Sequence, residues 1–175
     1  MVCGAGKQVS SGARRVAKSE YRQQIAVMLQ QQRWAALATV DEAGLPAASM
    51  VAYATDTAQG CLYLHLSALA AHTRELLQQP AAALVISECD AGSGDPQQLA
   101  RLSLRGVCEP IVRDATGYAE ARQCYLRRLP DAERLFGFGD FMLLRFEITA
   151  ARFVGGFGQA HSYRGEEICA LLREG

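Results

Sequence analysis

What most constrains this chain is its punctuation: apolar runs of strand length, cut by glycine and proline turns, with helical stretches inserted at irregular intervals. Residues 34–40 (WAALATV) and 47–55 (AASMVAYAT) flank DEAG at 41–44, a pattern that predicts an antiparallel hairpin. A turn ending in Gly60 leads to a strand at 61–66, further strands are expected at 82–88 and 99–112, and residues 141–154 supply a final long strand or pair of strands. Gly106, inside the run 99–112, predicts a bulge or the close approach of another group. Helical spacing appears at residues 20–32, where Ser19 is a candidate cap and Tyr21, Ile25, Met28 and Leu29 share a face. It returns in AHTRELLQQP, stopped by Pro80, in residues 118–129 behind a cap at Asp114, and in the tail 166–173. Strands that follow strands, without regular β–α alternation or an internal repeat, exclude a doubly wound sheet and a solenoid. The expected fold is mainly β, a six-stranded antiparallel barrel with helices packed outside. The interior of such a barrel is filled by side chains, so a ligand binds on its outside or between two copies.

The 175 residues suit a single domain, placed at 18–175, behind a small, basic and aperiodic segment at 1–17 that is expected to be flexible. Half the residues are apolar and 21% are charged, which excludes a disordered chain, a collagen-like fibre and a membrane protein. Eighteen basic and eighteen acidic residues cancel, so the chain lacks the cationic excess that releases counterions from nucleic acid. Lys7 and Lys18 are the only lysines, and the remaining positive charge is arginine, which grips carboxylate and phosphate through two parallel hydrogen bonds. The six cysteines form no C-x-x-C pair and read as reduced, mostly buried thiols. No stretch has the apolar length of a secretory core or a membrane span, and a cytoplasmic location is expected.

Several runs together resemble a known family: RWAALATV from Arg33, GLPAASMVAY from Gly44, LYLHLSALAAHTRELLQQPAAALVI at 62–86, LSLRGVCEPI at 102–111 and FGDFMLLRFEITAARFVGGFGQAH at 138–161. Their order and spacing resemble the pyridoxamine 5'-phosphate oxidase-like FMN-binding split barrels over most of the chain. LSALAAHTREL and VGGFGQA look most like the haem-utilisation (HugZ-type) branch. The resemblance implies a split-barrel homodimer with FMN at the subunit interface, acting as an oxidoreductase on a small substrate. The alternative it implies is a haem-binding protein for haem utilisation, storage or degradation; a third reading is a scaffold that binds neither. The chain departs from the vitamin B6 oxidase itself. Ala71 and His72 stand where that enzyme has a basic pair, Ser49 where it has a phosphate-binding arginine, and the ending GEEICALLREG lacks its arginine- and histidine-rich substrate signature. Pyridoxal phosphate synthesis is therefore not expected.

The residue chemistry agrees with a cofactor near the second strand and the short helix. Ser49, Met50 and Val51 offer a hydroxyl, apolar contact and backbone N–H groups, with Arg105 for the ring or ribityl chain. Ser67 lies where strand meets helix, and His72, Thr73 and Arg74 bring imidazole, hydroxyl and guanidinium to a first turn whose dipole favours an anion. The same residues also read as a plain N-cap, a solvated helix face and a strand hydroxyl. If haem binds, His161 is the expected iron ligand, approached over the glycine turn at 155–158, with Asp140 or Asp131 on its far nitrogen. His65 alternates with Leu64 and Leu66 and is expected at an interface or in solvent. Arg101, Ser103 and Arg105 share one side of their strand, while Phe136, Phe138, Phe141, Phe153, Phe157 and Tyr163 either pack the core or cover a planar ring. No hydrolase or phosphate-loop motif is present, and no acid–base residue is assigned.

Overall fold

The first hairpin forms where its turn residues place it. In the computed structural model, which describes residues 11–156 and 159–174, β1 (Trp34–Val40) and β2 (Pro46–Asp56) pair antiparallel from Trp34↔Ala52 to Val40↔Pro46. Asp41 accepts hydrogen bonds from the N–H groups of Ala43 and Leu45, and Gly44 takes a φ of 79° that a side chain would strain. β3 (Cys61–Ser67), β4 (Ala81–Ser87), β5 (Arg101–Ile111) and β6 (Phe141–Val154) complete the order β3-β2-β1-β4-β5-β6. β6 then returns to pair with β3, from Leu62↔Phe146 to Ser67↔Phe141, and closes the six-stranded antiparallel barrel expected from the strand pattern. A seventh strand, β7 (Ala160–Arg164), extends the far end of β6. Only Tyr163 of its five residues is buried, so no apolar alternation announces it.

Gly106 marks a break in the β5–β6 register, and a Cβ there would lie 2.2 Å from the carbonyl oxygen of Glu147. Bulge and close approach therefore coincide at this position. Inside the barrel, Leu37, Tyr53, Leu62, Leu64, Leu84, Leu102, Leu104, Leu144, Phe146 and Phe153 fill the space.

Three helices add to this core. α1 (Ser11–Gln31) contributes Ile25, Met28 and Leu29, α2 (Ala71–Gln78) contributes Leu76, and α4 (Gly165–Glu174) contributes Ile168, Leu171 and Leu172. α1 begins at Ser11, not behind Ser19, because no glycine or proline interrupts the chain between Ala13 and Gln31. Of the segment 1–17, residues 1–10 lie outside the described residues, and the rest belongs to α1. α3 (Tyr118–Arg128) starts from Gly117, whose φ of 93° suits glycine, and the expected Asp114 cap is not used.

A second apolar cluster forms outside the barrel wall, where α3 places Ala121, Cys124 and Tyr125 against Cys61, Tyr63 and Leu143. Phe136 joins it from a 3₁₀ segment, Pro130–Gly137. Consequently β3 is covered on both faces, with every residue from Cys61 to Leu66 buried. The late aromatics divide accordingly: Phe153 and Tyr163 belong to the barrel core, Phe136 to the outer cluster, and Phe138 is exposed. Phe157, also expected in this group, lies outside the described residues.

Candidate functional site

The outer cluster stops short of the start of β1, and a cleft of about 420 Å³ opens there. Its walls come from several parts of the fold. Arg33 and Trp34 precede and open β1, Met50 and Val51 come from β2, His65 and Ser67 from β3, and His72 from the first turn of α2. The opposite wall is Tyr125 and Leu129 at the end of α3, continued by Asp131, Arg134 and Leu135 of the 3₁₀ segment, with Phe141 beside it. Trp34 is 55% exposed and Met50 is 48% exposed, although both are large apolar side chains. A cleft with an apolar, partly aromatic surface and arginines at its margin suits a flat ligand that carries negative charge.

Five of the eight expected cofactor residues meet at this cleft: Met50, Val51, Ser67 and His72 line it, and Ser49 Oγ lies 3.1 Å from His72 Nδ1. Burial lowers the His72 pKa, and the nearby Glu75 carboxylate opposes that shift. Ser67 is not an N-cap. Its hydroxyl donates to Asp140 Oδ2 at 2.6 Å and accepts from the Leu69 N–H, while Ala70 occupies the cap position of α2 without a side-chain hydrogen bond.

The other three expected residues sit elsewhere in the described fold. Thr73 is fully buried with no hydrogen-bond partner for Oγ1 among the described residues. Arg74 donates to the Leu69 carbonyl and lines a separate hollow with Asp41, Glu42 and Glu75. Arg105 lies on the outer face of β5 with Ser103, in a small depression that Arg152 of β6 and residues of β7 also line. His161 is exposed on β7, tilted against Tyr21 with ring centroids 4.4 Å apart. Its expected partners are occupied in other ways, Asp140 by Ser67 and Asp131 in the cleft wall.

Sequence reasoning missed the α3 and 3₁₀ wall of the cleft, and it missed Arg33 and Trp34. The available signal was the dipeptide Arg33-Trp34, the chain's only tryptophan placed at a strand end behind a cation. His65, expected at an interface or in solvent, is instead buried within the chain, because α3 and the 3₁₀ segment cover this side of β3. It stacks on Phe136 with centroids 3.7 Å apart and planes 8° apart. Burial, and then the guanidinium groups of Arg113 and Arg122, push its imidazole down to about 4. A larger hollow of about 630 Å³ runs along α3 past Asp56, Glu120, Arg127 and Arg145, and none of the expected residues reaches it.

Comparison with known proteins places this geometry. A family model described as "CREG, beta-barrel" matches residues 17–168. Non-canonical heme oxygenase HOZ of Arabidopsis thaliana is 33% identical over 123 residues, covering 70% of this chain and 36% of that protein, so the chain spans about a third of that relative. Heme oxygenase HutZ of Vibrio cholerae is 26% identical over 140 residues, covering 79% of this chain and 78% of that protein. Among solved structures, a heme binding protein from Mycobacterium smegmatis superposes with a TM-score of 0.77 at 30% identity, over 85% of this chain and 60% of that one. The fold alone is shared with a pyridoxinephosphate oxidase-family protein from Clostridium acetobutylicum (TM-score 0.63, 14% identity, 85% of this chain and 97% of that one). The resemblance to split barrels that include haem-utilisation proteins is thereby shown.

Proposed function

The chain belongs to the CREG-type β-barrel family, and from that premise we propose that it binds haem in the cleft beside Trp34, as a haem-handling protein of the heme-oxygenase kind. One observation carries this reading: Trp34, Met50, Leu135 and Phe141 present apolar surface in a cleft that Arg33 and Arg134 also line. That combination matches a porphyrin plane with carboxylates at one edge. Haem held there supplies a redox-active iron and, in a degrading enzyme, is itself the substrate. The residues then divide the work. Trp34, Met50 and Phe141 pack on the ring and exclude water, while Arg33 and Arg134 pair with propionates.

Two histidines compete for the iron. His161 is exposed on β7, whereas His72 lines the cleft itself with a pKa that burial lowers. Of the two, His161 would hold the iron, offered by a second copy of the chain across a homodimer seam. The outer face of β2, β1 and β4 supports such a seam, since Met50, Trp34 and Val85 are exposed there beside Ala36, Ala38, Ala48 and Ala83. A cytoplasmic location is supported by the free thiols of Cys61, Cys89, Cys108, Cys124 and Cys169, which suit a reducing compartment.

FMN is the second reading. Ser49, Ser67 and the start of α2 favour it by offering hydroxyls and N–H groups beside the same cleft. Titration of the purified protein with haem and with FMN tests both. The haem reading expects an intense Soret band that His161→Ala alters; a chain that retains only the flavin's absorption near ~450 nm refutes it.

No helix among the described residues is long and apolar enough to cross a membrane.

A further inference from the structure

The outer cluster encloses an imidazole that packing alone does not require. His65 is 6% exposed, and neither Nδ1 nor Nε2 has a hydrogen-bond partner among the described residues. Its neighbours are aromatic: Phe136 stacked on its face, Tyr125 at 5.7 Å and Phe141 at 5.2 Å between centroids. A phenyl ring would make every one of these contacts without stripping water from two polar atoms. Yet the same side chain borders the cleft that Trp34 and Met50 line.

The charges around it favour an anion. Arg113, just beyond β5, and Arg122, on α3, both act electrostatically on the ring. Arg122 lies 5.1 Å over the Phe136 ring and is paired with Glu133, while Arg113 donates to the carbonyls of Phe138 and Phe141. From the 3₁₀ segment, Arg134 and Asp131 line the cleft as well, and Asp140 takes the hydrogen bond of Ser67.

We propose that His65 is a ligand-recognition residue, donating a ring N–H to an oxyanion of the group bound in the cleft once the Pro130–Gly137 segment that carries Phe136 swings aside. This deepens the reading given above and rests on it. A neutral ring retains one N–H to donate, and an oxyanion accepting it draws the ring's pKa back up. The segment is suited to move, since 3₁₀ hydrogen bonds are poorly aligned and its first residue lacks a side-chain cap. The oxyanion has two sources, a porphyrin carboxylate or a flavin phosphate.

Three probes separate these sources: metal-free protoporphyrin IX, its dimethyl ester, which has no carboxylate, and FMN. Binding is read from the fluorescence of Trp34, and the histidine rings from NMR of ¹⁵N-labelled protein. His65→Phe is expected to melt no lower than the parent chain, to bind the diester equally well and to bind the diacid at least about ten-fold more weakly, the worth of a charged hydrogen bond. In the parent chain the diacid moves the His65 ring signals and the diester does not. Unweakened diacid binding by His65→Phe, or diacid binding that leaves those signals unmoved, overturns the inference while the haem reading stands. If only FMN binds, and His65→Phe weakens it about ten-fold, the haem reading fails while the role of His65 survives with phosphate as the oxyanion. If none of the three binds, the role of His65 falls, and the haem titration decides the haem reading separately.

Discussion

His65 and Gly106 are each set by contacts that a few atoms decide. Burial holds the His65 imidazole near pKa 4, below the 6.5 of an unburied ring, so the unfolded chain takes up the proton first as pH falls. The stability contributed by the neutral ring is complete above pH 6.5 and is lost progressively toward pH 4. The loss approaches roughly 3 kcal/mol, following the energy of a pKa shift. Urea unfolding at a series of pH values should therefore show a decline in the parent chain between these limits that His65→Phe removes; parallel curves would contradict it. At Gly106 a methyl group would meet both the Glu147 carbonyl and the Phe146 ring. Gly106→Ala is expected to cost about 3 kcal/mol, against about 1 kcal/mol for Gly44→Ala, where φ is strained but nothing lies within reach. Equal effects in thermal melts would show that the close approach at Gly106 is not a constraint.

Among the elements, those with alternating or periodic apolar residues were legible and those held by position were not. β1 falls on the residues that its alternation marks, because one of its faces is buried and the other is open. β3 misleads the same logic. The side opposite Leu64 and Leu66 ordinarily meets solvent, but α3 and the 3₁₀ segment cover it, so His65 is buried. β7 is short and mostly exposed, and pairing to β6 defines it more than its own residues do. In the candidate site, Ser49 and His72 were legible as chemistry, but the opposite wall comes from residues 125–135, which only tertiary packing brings near. This wall has its own test. Phe136→Ala removes the ring stacked on His65 and a member of the outer cluster, and is expected to destabilise the fold by about 3 kcal/mol. It should also make the 3₁₀ segment exchange amide hydrogens faster than the barrel strands, and uniform exchange across both would contradict this.

At the scale of the whole molecule, a closed barrel with a filled interior leaves only its outer surface for a ligand, and the proposed homodimer seam falls on the apolar sheet face around Trp34 and Val85. Val85→Asp should convert a dimer into single chains in sedimentation velocity and weaken haem binding with it; a dimer unaffected by this charge would move the seam elsewhere. The central claim is that this cleft is a haem site. Native mass spectrometry of the chain titrated with haem, beside a sample titrated with FMN, tests it most directly. The account predicts a two-chain particle carrying two haems, formed in preference to any FMN complex. A particle that takes up FMN and excludes haem, or binds neither, would contradict it.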